Sequence, residues 1–348
     1  MTVAKTLGES PDQVFIARDF KLTSGVVLSE LHIAYVCLGQ LSPDCGNAIL
    51  LTHGFTSSHR LSKKASHESS EGGWNLLVGP GRPVDTDKYF VVSSNMLGSS
   101  YGSTGPASIN PQTGQPYGPD FPQITLHDIV SAQHLLLTHL KVKHLHAVIG
   151  ASYGGFQAFQ WAINYPDFVG GIVAAMSSLW HADDGETVQT LLAFFAQDPN
   201  WNAGNFYKNG GVRETLKKYR IDTLRKYGRA ATLASQGYSE SEIDAQLEQL
   251  SAAWASQFDA NSLVTLLSAA HRMDLAQNVS RIRAKVLYLL STTDRVFPIT
   301  LAPAVSAVFD KAQIPFEYVE LPSDKGHSAS HEDAAKWASK LREFLGCY

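Results

Sequence analysis

The residue best placed to do chemistry is a serine set among glycines. Gly150-Ala-Ser152-Tyr-Gly154-Gly155 follows the apolar run His146-Ala-Val-Ile149 and precedes a helical run from Phe156 to Tyr165. G-x-S-x-G between a strand and a helix forms a sharp elbow that holds the serine hydroxyl clear of the sheet. Side chains at 150 and 154 would collide with the neighbouring strand and helix, and the turn is strained at the serine. The helix that follows aims its N-terminal N–H groups at the reacting oxygen. The same string without its flanking elements would be only a glycine-rich turn.

A serine hydroxyl is a weak nucleophile at neutral pH, so a histidine base and an acid to orient it must follow, in the chain order Ser, acid, His. Asp294, in Ser291-Thr-Thr-Asp-Arg-Val-Phe-Pro298, comes just after the apolar run Val286–Leu290. Its other use would be to cap a helix ahead of Pro298. His327, in Lys325-Gly-His-Ser328, follows the next apolar run, Phe316–Leu321. Catalytic roles thus fall to Ser152, Asp294 and His327, with His331 a rival base and Asp324 a rival acid. The oxyanion hole needs two backbone donors. Tyr153 N–H, directly after the serine, is one; Phe55 N–H, in His53-Gly54-Phe55-Thr56, is the other, with Gly54 permitting close approach. His134, His139, His144 and His146 lack the i, i+4 pairing with a carboxylate that a zinc helix shows, so they read as structural. Neither a metal nor a cofactor is expected.

These residues need a sheet whose strand ends gather their loops. From residue 31 onward short apolar runs alternate with helical patterns, the form of an α/β sheet with crossover helices. Leu31–Leu38 alternates, as a partly exposed strand in an antiparallel start would. Ala48–Thr52, Tyr89–Ser93, Leu145–Ile149, Gly171–Ala175, Lys285–Leu290 and Phe316–Leu321 are the buried strands. A mostly parallel sheet of about eight strands is predicted. Between Trp180 and Arg281 strands give way to helical stretches at Val188–Gln197, Arg213–Tyr227 and Ser239–Phe258. The domain reading is a core of residues 1–179 and 282–348 and a helical cap of residues 180–281, set over the strand ends. Leu97–Pro122 is too long for an ordinary connection, and such loops are functional or disordered.

Composition bounds the partners. The 348 residues are 44% hydrophobic, enough for a substantial core, and carry 28 basic against 32 acidic residues, for a net charge of −4. Such a balance creates no field for nucleic acid or an anionic membrane and fits a small, fairly uncharged substrate; the serine chemistry makes that a small-molecule ester substrate. Cys37, Cys45 and Cys347 cannot all pair and show no metal-ligand spacing, so they read as reduced thiols of a cytoplasmic protein. The opening Met1–Ser10 lacks the apolar stretch of a signal peptide, and no run is long enough to span a membrane.

With these residues in view, the chain resembles the homoserine O-acetyltransferase family of α/β hydrolases over nearly its whole length. The stretches that carry the likeness are Ala34-Tyr-Val, Leu51-Thr-His-Gly-Phe-Thr56, Gly79-Pro-Gly-Arg-Pro-Val-Asp-Thr-Asp87, Gly102-Ser-Thr-Gly-Pro106, Asn110–Gly118 and Phe121-Pro122. Asp198-Pro-Asn-Trp201 and Phe258-Asp-Ala-Asn-Ser262 add to it in the helical segment. The resemblance implies the α/β-hydrolase fold, an acyl-enzyme on Ser152, a ping-pong reaction, acetyl-CoA as a donor, and a helical lid through which two copies pair as a homodimer.

Three departures concern the substrate. Tyr153 stands where the family usually has methionine. Ser328 stands where it has an aspartate suited to the ammonium group of homoserine, which makes Ser328, with Gly54, a substrate-binding candidate. Leu216 aligns with the lid arginine that would hold the homoserine carboxylate, with Arg213, Lys217 and Arg220 nearby. A lost buried charge partner costs a ligand on the order of 2 to 5 kcal/mol. The leading expectation is therefore a serine carboxylesterase acting on short-chain, acetyl esters. The alternative is an O-acetyltransferase moving acetyl from acetyl-CoA to homoserine or another hydroxyl acceptor. A ligand-binding receptor that keeps the triad is third.

Overall fold

The computed structural model describes residues 11–62, 73–181 and 185–346. The readings placed on Met1–Ser10 and on Cys347 fall outside these residues.

Eight strands form the main sheet: β1 (Gln13–Lys21), β2 (Val27–Leu38), β3 (Ala48–Thr52), β4 (Phe90–Ser94), β5 (Leu145–Ala151), β6 (Val169–Ala175), β7 (Lys285–Ser291) and β8 (Phe316–Leu321). Their spatial order is β1-β2-β4-β3-β5-β6-β7-β8. β1 and β2 are antiparallel, β2 meets β4 antiparallel, and from β4 onward every pairing is parallel. β3 is buried along its whole length and β5 along most of it, as a parallel sheet covered on both faces requires. Side chains alternate between two cores. Ile49, Leu51, Ala147, Ile149 and Leu287 face the C-terminal helix through Trp337 and Leu341. Leu50, Val148, Ile172 and Tyr288 face the opposite way, toward Phe159 and Trp161.

β1 was not expected. It is an edge strand with exposed Val14 and Ile16 and with Arg18, Asp19 and Lys21 among its nine residues, so its pattern is not a clean alternation. Leu97–Pro122, expected to be functional or disordered, packs along the edge of β2 that the sheet leaves unpaired before Tyr35. His32 N donates to Thr104 Oγ1 at 2.8 Å, Thr104 N donates to His32 O at 2.9 Å, and Ala34 N donates to Ser103 Oγ at 3.1 Å. The loop thus satisfies backbone groups that β2 would leave open at this end.

Helices α1 (Leu126–His139) and α2 (Tyr153–Asn164) flank β5 in sequence. Between β6 and β7 lie α3 (Val188–Phe195), α4 (Arg213–Lys226), α5 (Arg229–Ser235), α6 (Glu240–Ala255), α7 (Ala260–His271) and the short α8 (Leu275–Asn278). This insertion has its own apolar cluster, in which Phe195, Trp201, Leu216, Tyr219 and Trp254 are buried together. Helices α9 (Ala302–Lys311), α10 (Ala329–Glu332) and α11 (Ala334–Leu345) complete the chain. Among the described residues no helix is long and apolar enough to cross a membrane, and Cys37 and Cys45 are free thiols.

Candidate active site

Ser152 is the hinge between β5 and α2, with φ 55° and ψ −123°. A side chain held at such an angle costs about 1–3 kcal/mol and persists only where its surroundings fix it. Here Ser152 N donates to Ala175 O at 2.9 Å, and Ser177 Oγ donates to the Ser152 carbonyl at 2.8 Å. The turn is also sterically closed. A Cβ at Gly154 would lie 2.2 Å from Thr52 O, and one at Gly150 would lie 2.2 Å from Gly154 O.

Asp294 is buried just past β7, and its two carboxylate oxygens have separate partners. Its Oδ1 accepts from Val296 N at 2.8 Å and Phe297 N at 3.2 Å, forming a cap-like turn. Its Oδ2 meets His327 Nδ1 at 2.8 Å. His327 follows Gly326, whose φ of 59° turns the chain inward, and its ring packs on Tyr227 and Phe297 at centroid distances of 4.7 and 5.8 Å. With Nδ1 on the carboxylate, Nε2 is the ring nitrogen left for another partner, and Ser152 lines the same cavity as His327. The rival acid Asp324 lies outside this arrangement, exposed and paired with Lys325. The rival base His331 lines the same cavity, but Glu332, not Asp294, is its neighbouring carboxylate, at 3.9 Å. Burial, reinforced by the charges of Arg229 and Arg220 and by His327, pushes His331 down to about 4 against the pull of Glu332.

The loop after β3 is fixed by a chain of buried polar groups. Met96 N donates to His53 Nε2 at 3.2 Å, so the ring proton is on Nδ1, which donates to Gly54 O at 2.9 Å. Burial holds His53 down to about 4 and keeps it neutral. Gln157 Nε2 donates to His53 O at 2.9 Å, Gln133 Nε2 donates to Gln157 Oε1 at 2.8 Å, and Trp161 Nε1 donates to Gln133 Oε1 at 2.7 Å. Thr52 Oγ1 donates to Gly154 O at 2.8 Å. The segments carrying the Phe55 and Tyr153 amides are thereby tied to each other. Gln133 and Gln157 were missed in the sequence, where they look like ordinary helix-surface residues.

Ser152, Phe55, Gly54, His327 and Ser328 all line one cavity of about 720 Å³. Ser328 Oγ donates to Tyr227 O at 3.2 Å. The same cavity receives Arg220 from α4. Arg220 is buried, its Nη1 donates to Thr56 Oγ1 at 2.6 Å, and its guanidinium lies over the Trp254 ring at 5.2 Å. Arg220 thus brings a cation to the cavity one helical turn on from Leu216, which points into the apolar cluster of the insertion. Arg213 is exposed, and Lys217 is taken up by Glu214 and Glu248 at 2.7 and 2.6 Å. The four histidines read as structural are dispersed: His134 stacks on Tyr165 at 4.1 Å, His139 lies against Phe15, and His146 Nε2 meets Leu345 O at 2.8 Å. Among the described residues no group of three or more His, Cys, Asp or Glu could hold a metal ion.

Strand order, elbow and Asp–His pair define an α/β hydrolase, and the family model described as the alpha/beta hydrolase fold matches residues 47–334. Within that fold the chain belongs to the homoserine O-acetyltransferase family, whose members are acyl-transferring enzymes of the serine hydrolase type. It is 34% identical over 352 residues to a homoserine O-acetyltransferase of Haemophilus influenzae (strain ATCC 51907 / DSM 11121 / KW20 / Rd), covering 95% of this chain and 97% of that relative. Among solved structures it is similar to esterase E22, with a TM-score of 0.86, 27% identity and coverage of 97% and 100% of the two chains. It is also similar to the homoserine O-acetyltransferase from Bacillus anthracis, with a TM-score of 0.84, 25% identity and 97% of each chain covered.

Two outcomes follow from this packing. Gly154→Ala forces Cβ into the Thr52 carbonyl and should cost at least about 3 kcal/mol, the upper end of overpacking penalties, read as a lowered urea midpoint or loss of soluble protein. Wild-type stability would contradict the close approach. The second concerns His53, whose native pKa lies near 4 against 6.5 unfolded. The unfolded chain binds this proton first on acidification, so the His53 contribution is intact above about pH 6.5 and is lost toward pH 4, by about 3 kcal/mol in all. Asp259, raised to about 6 by its burial, acts in the opposite sense between about pH 4 and 6. The diagnostic is therefore a difference: unfolding free energy should depend more weakly on pH in His53→Gln than in the wild type over this window.

Proposed function

We propose that the chain transfers an acetyl group from acetyl-CoA to the hydroxyl of homoserine, or of an acceptor that likewise carries a carboxylate, through an acyl-enzyme on Ser152. The observation that carries this reading is Arg220, a buried guanidinium in the same cavity as Ser152 and His327. It restores the cation whose apparent loss favoured simple hydrolysis. The first relatives are homoserine O-acetyltransferases matched over nearly their full length, so transfer is better supported than the carboxylesterase expected from the sequence alone.

In this reading His327 Nε2 takes the proton of Ser152 Oγ as the oxygen attacks the thioester carbon. The oxyanion that forms is held by the N–H groups of Phe55 and Tyr153. Asp294 keeps the imidazole in the correct tautomer and stabilises its charged form. The C–S bond breaks, and the proton passes from His327 to the departing CoA sulfur. The acceptor hydroxyl then gives its proton to His327 and attacks the acyl carbon, the Ser152 ester bond breaks, and Oγ recovers the proton. Residues 180–281 act as a lid that supplies Arg220 and narrows access for water.

Acetyl-ester hydrolysis is the second reading, favoured by the neutral Ser328 and by the likeness to esterase E22. The test is to supply acetyl-CoA with and without homoserine and to follow thiol release and products together. O-acetylhomoserine should dominate when the amino acid is present; free acetate in both arms would favour the esterase. Arg220→Ala should weaken homoserine use by roughly 30-fold to several thousand-fold, the worth of a buried charge partner, while acyl-enzyme formation persists. Ser152→Ala should lose about a million-fold in kcat and Asp294→Asn about ten-thousand-fold. Residual activity above about one part in a thousand in Ser152→Ala would remove Ser152 as nucleophile.

A further inference from the structure

The Gly54 carbonyl and the Phe55 N–H belong to one peptide unit. In a trans peptide these two groups lie in one plane and point in opposite directions, so whatever fixes the carbonyl also aims the N–H. Two donors meet that carbonyl: His53 Nδ1–H at 2.9 Å and the Ser57 N–H at 3.2 Å. Phe55 borders the cavity that holds Ser152 and His327. A Cβ at position 54 would meet only Ala151 O at 3.8 Å and Ser57 Oγ at 3.9 Å, which are ordinary contacts. The close approach expected at Gly54 from the sequence is therefore not what the glycine serves. Having no side chain, it widens the backbone angles open to this unit, and hydrogen bonds rather than steric confinement must hold it.

We infer that His53 is the positioning residue of the oxyanion hole: by donating to Gly54 O it points the Phe55 N–H at the oxygen that gains charge when Ser152 attacks. The inference rests on acyl transfer at Ser152 as proposed above, with Phe55 N–H as a donor, and it holds whether water or an alcohol takes the acyl group. His53 suits the task because it is buried and held at both ends. Its Nε2 accepts from Met96 N at 3.2 Å, just past β4, and its carbonyl accepts from Gln157 Nε2 at 2.9 Å. Gln157 lies on α2, the helix whose first residue is Tyr153. Both donors thus take their direction from one helix, Tyr153 directly and Phe55 through Gln157 and His53. A hydrogen bond accepted at one end of a peptide also strengthens the donor at the other, because each polarises the next. A histidine that only filled space would have no need to bond the carbonyl of the peptide that carries the Phe55 N–H.

The experiment uses two substrates that differ in one atom, 4-nitrophenyl acetate and O-(4-nitrophenyl) thionoacetate, with the acyl-enzyme on Ser152 followed by mass spectrometry after rapid quenching. Sulfur is a weak hydrogen-bond acceptor, so the thionoester gains little from the oxyanion donors. With each rate divided by that of the same ester with hydroxide, wild-type kcat/KM should favour the oxygen ester by at least about tenfold. His53→Gln carries its amide one bond too far for Gly54 O. It should lower kcat for the oxygen ester by about 100-fold, as loss of an oxyanion donor does, with KM within about threefold and the thionoester little changed. His53→Asn sets an N–H where Nδ1–H stood and should recover at least about tenfold of that loss. A purely structural role would depress both esters alike and gain nothing from asparagine, which still leaves the Met96 N–H without its acceptor. Gln157→Met releases the His53 carbonyl and should shrink the oxygen preference by at least about threefold, which covers the case in which the His53 variants do not fold. Equal loss on both esters in folded His53→Gln, no recovery in His53→Asn, an unchanged preference in Gln157→Met or a wild type without the preference overturns the inference while acyl transfer at Ser152 stands. Wild-type protein that forms no acyl-enzyme from 4-nitrophenyl acetate overturns the transfer reading and this inference with it.

Discussion

Helix α2 approaches β3 and β6 so closely that no side chain fits between them, and the candidate site is built outward from this contact. Cβ atoms at Gly150, Gly154 and Gly155 would fall within 2.4 Å of Gly154 O, Thr52 O and Ser177 Cβ. The approach lets Thr52 Oγ1 reach the Gly154 carbonyl and Ser177 Oγ reach the Ser152 carbonyl. Those bonds hold Ser152 at its positive φ. A site assembled on such rigid elements does not have to reorganise when charge develops on the substrate, which is where preorganised donors gain most.

The helical insertion is bonded to each of the three loops that make up the site. Trp254 Nε1 donates to Thr56 O at 3.0 Å, and Arg220 donates to Thr56 Oγ1, which fixes the loop after β3. Tyr153 OH on the elbow reaches Leu266 O. Tyr227 O accepts from both Ser328 N and Ser328 Oγ at 3.2 Å beside His327. Burying these polar groups without partners would cost about 1–3 kcal/mol each, so seating the insertion and satisfying the loops are one event. Arg220, Tyr153 and the loop that carries His327 are therefore positioned together.

What could be read from the sequence was whatever local pattern determines. The elbow, Asp294 and His327 could be proposed from the sequence because each stands within a few residues of the carboxyl end of a strand, where a parallel sheet must gather its loops. β1 was not, because an edge strand with exposed valine and isoleucine obeys no clean alternation. How Leu97–Pro122 packs could not be read because its partners, the backbone groups of His32 and Ala34, lie about 70 residues away in sequence. Arg220 could be named only as one of three nearby cations because a helix offers equivalent positions every three or four residues; Leu216 and Arg220 lie on neighbouring turns, and only packing decides which one enters the cavity. The Gln133–Gln157 relay depends on how α1 meets α2, a contact that no spacing within either helix reveals.

The charges around Ser152 reconcile the two chemistries this fold family displays. Arg220 offers a carboxylate a buried guanidinium, whereas the position after His327 offers an ammonium only a hydroxyl. That hydroxyl gives its proton to Tyr227 O, so toward the cavity Ser328 presents lone pairs, which accept an N–H but carry no charge. A neutral acceptor is worth about half of an ionised one in a hydrogen bond. Glu332, the carboxylate in the same cavity, is engaged by Arg229 and supplies no free replacement. An amino-acid acceptor would thus be oriented firmly at its carboxylate and loosely at its ammonium group. Orientation is what lets a bound alcohol outcompete water at far higher concentration. Under the proposed reaction, loosening one end would therefore move an acyl-enzyme on Ser152 toward hydrolysis by degrees, so that the same set of groups could favour transfer or hydrolysis.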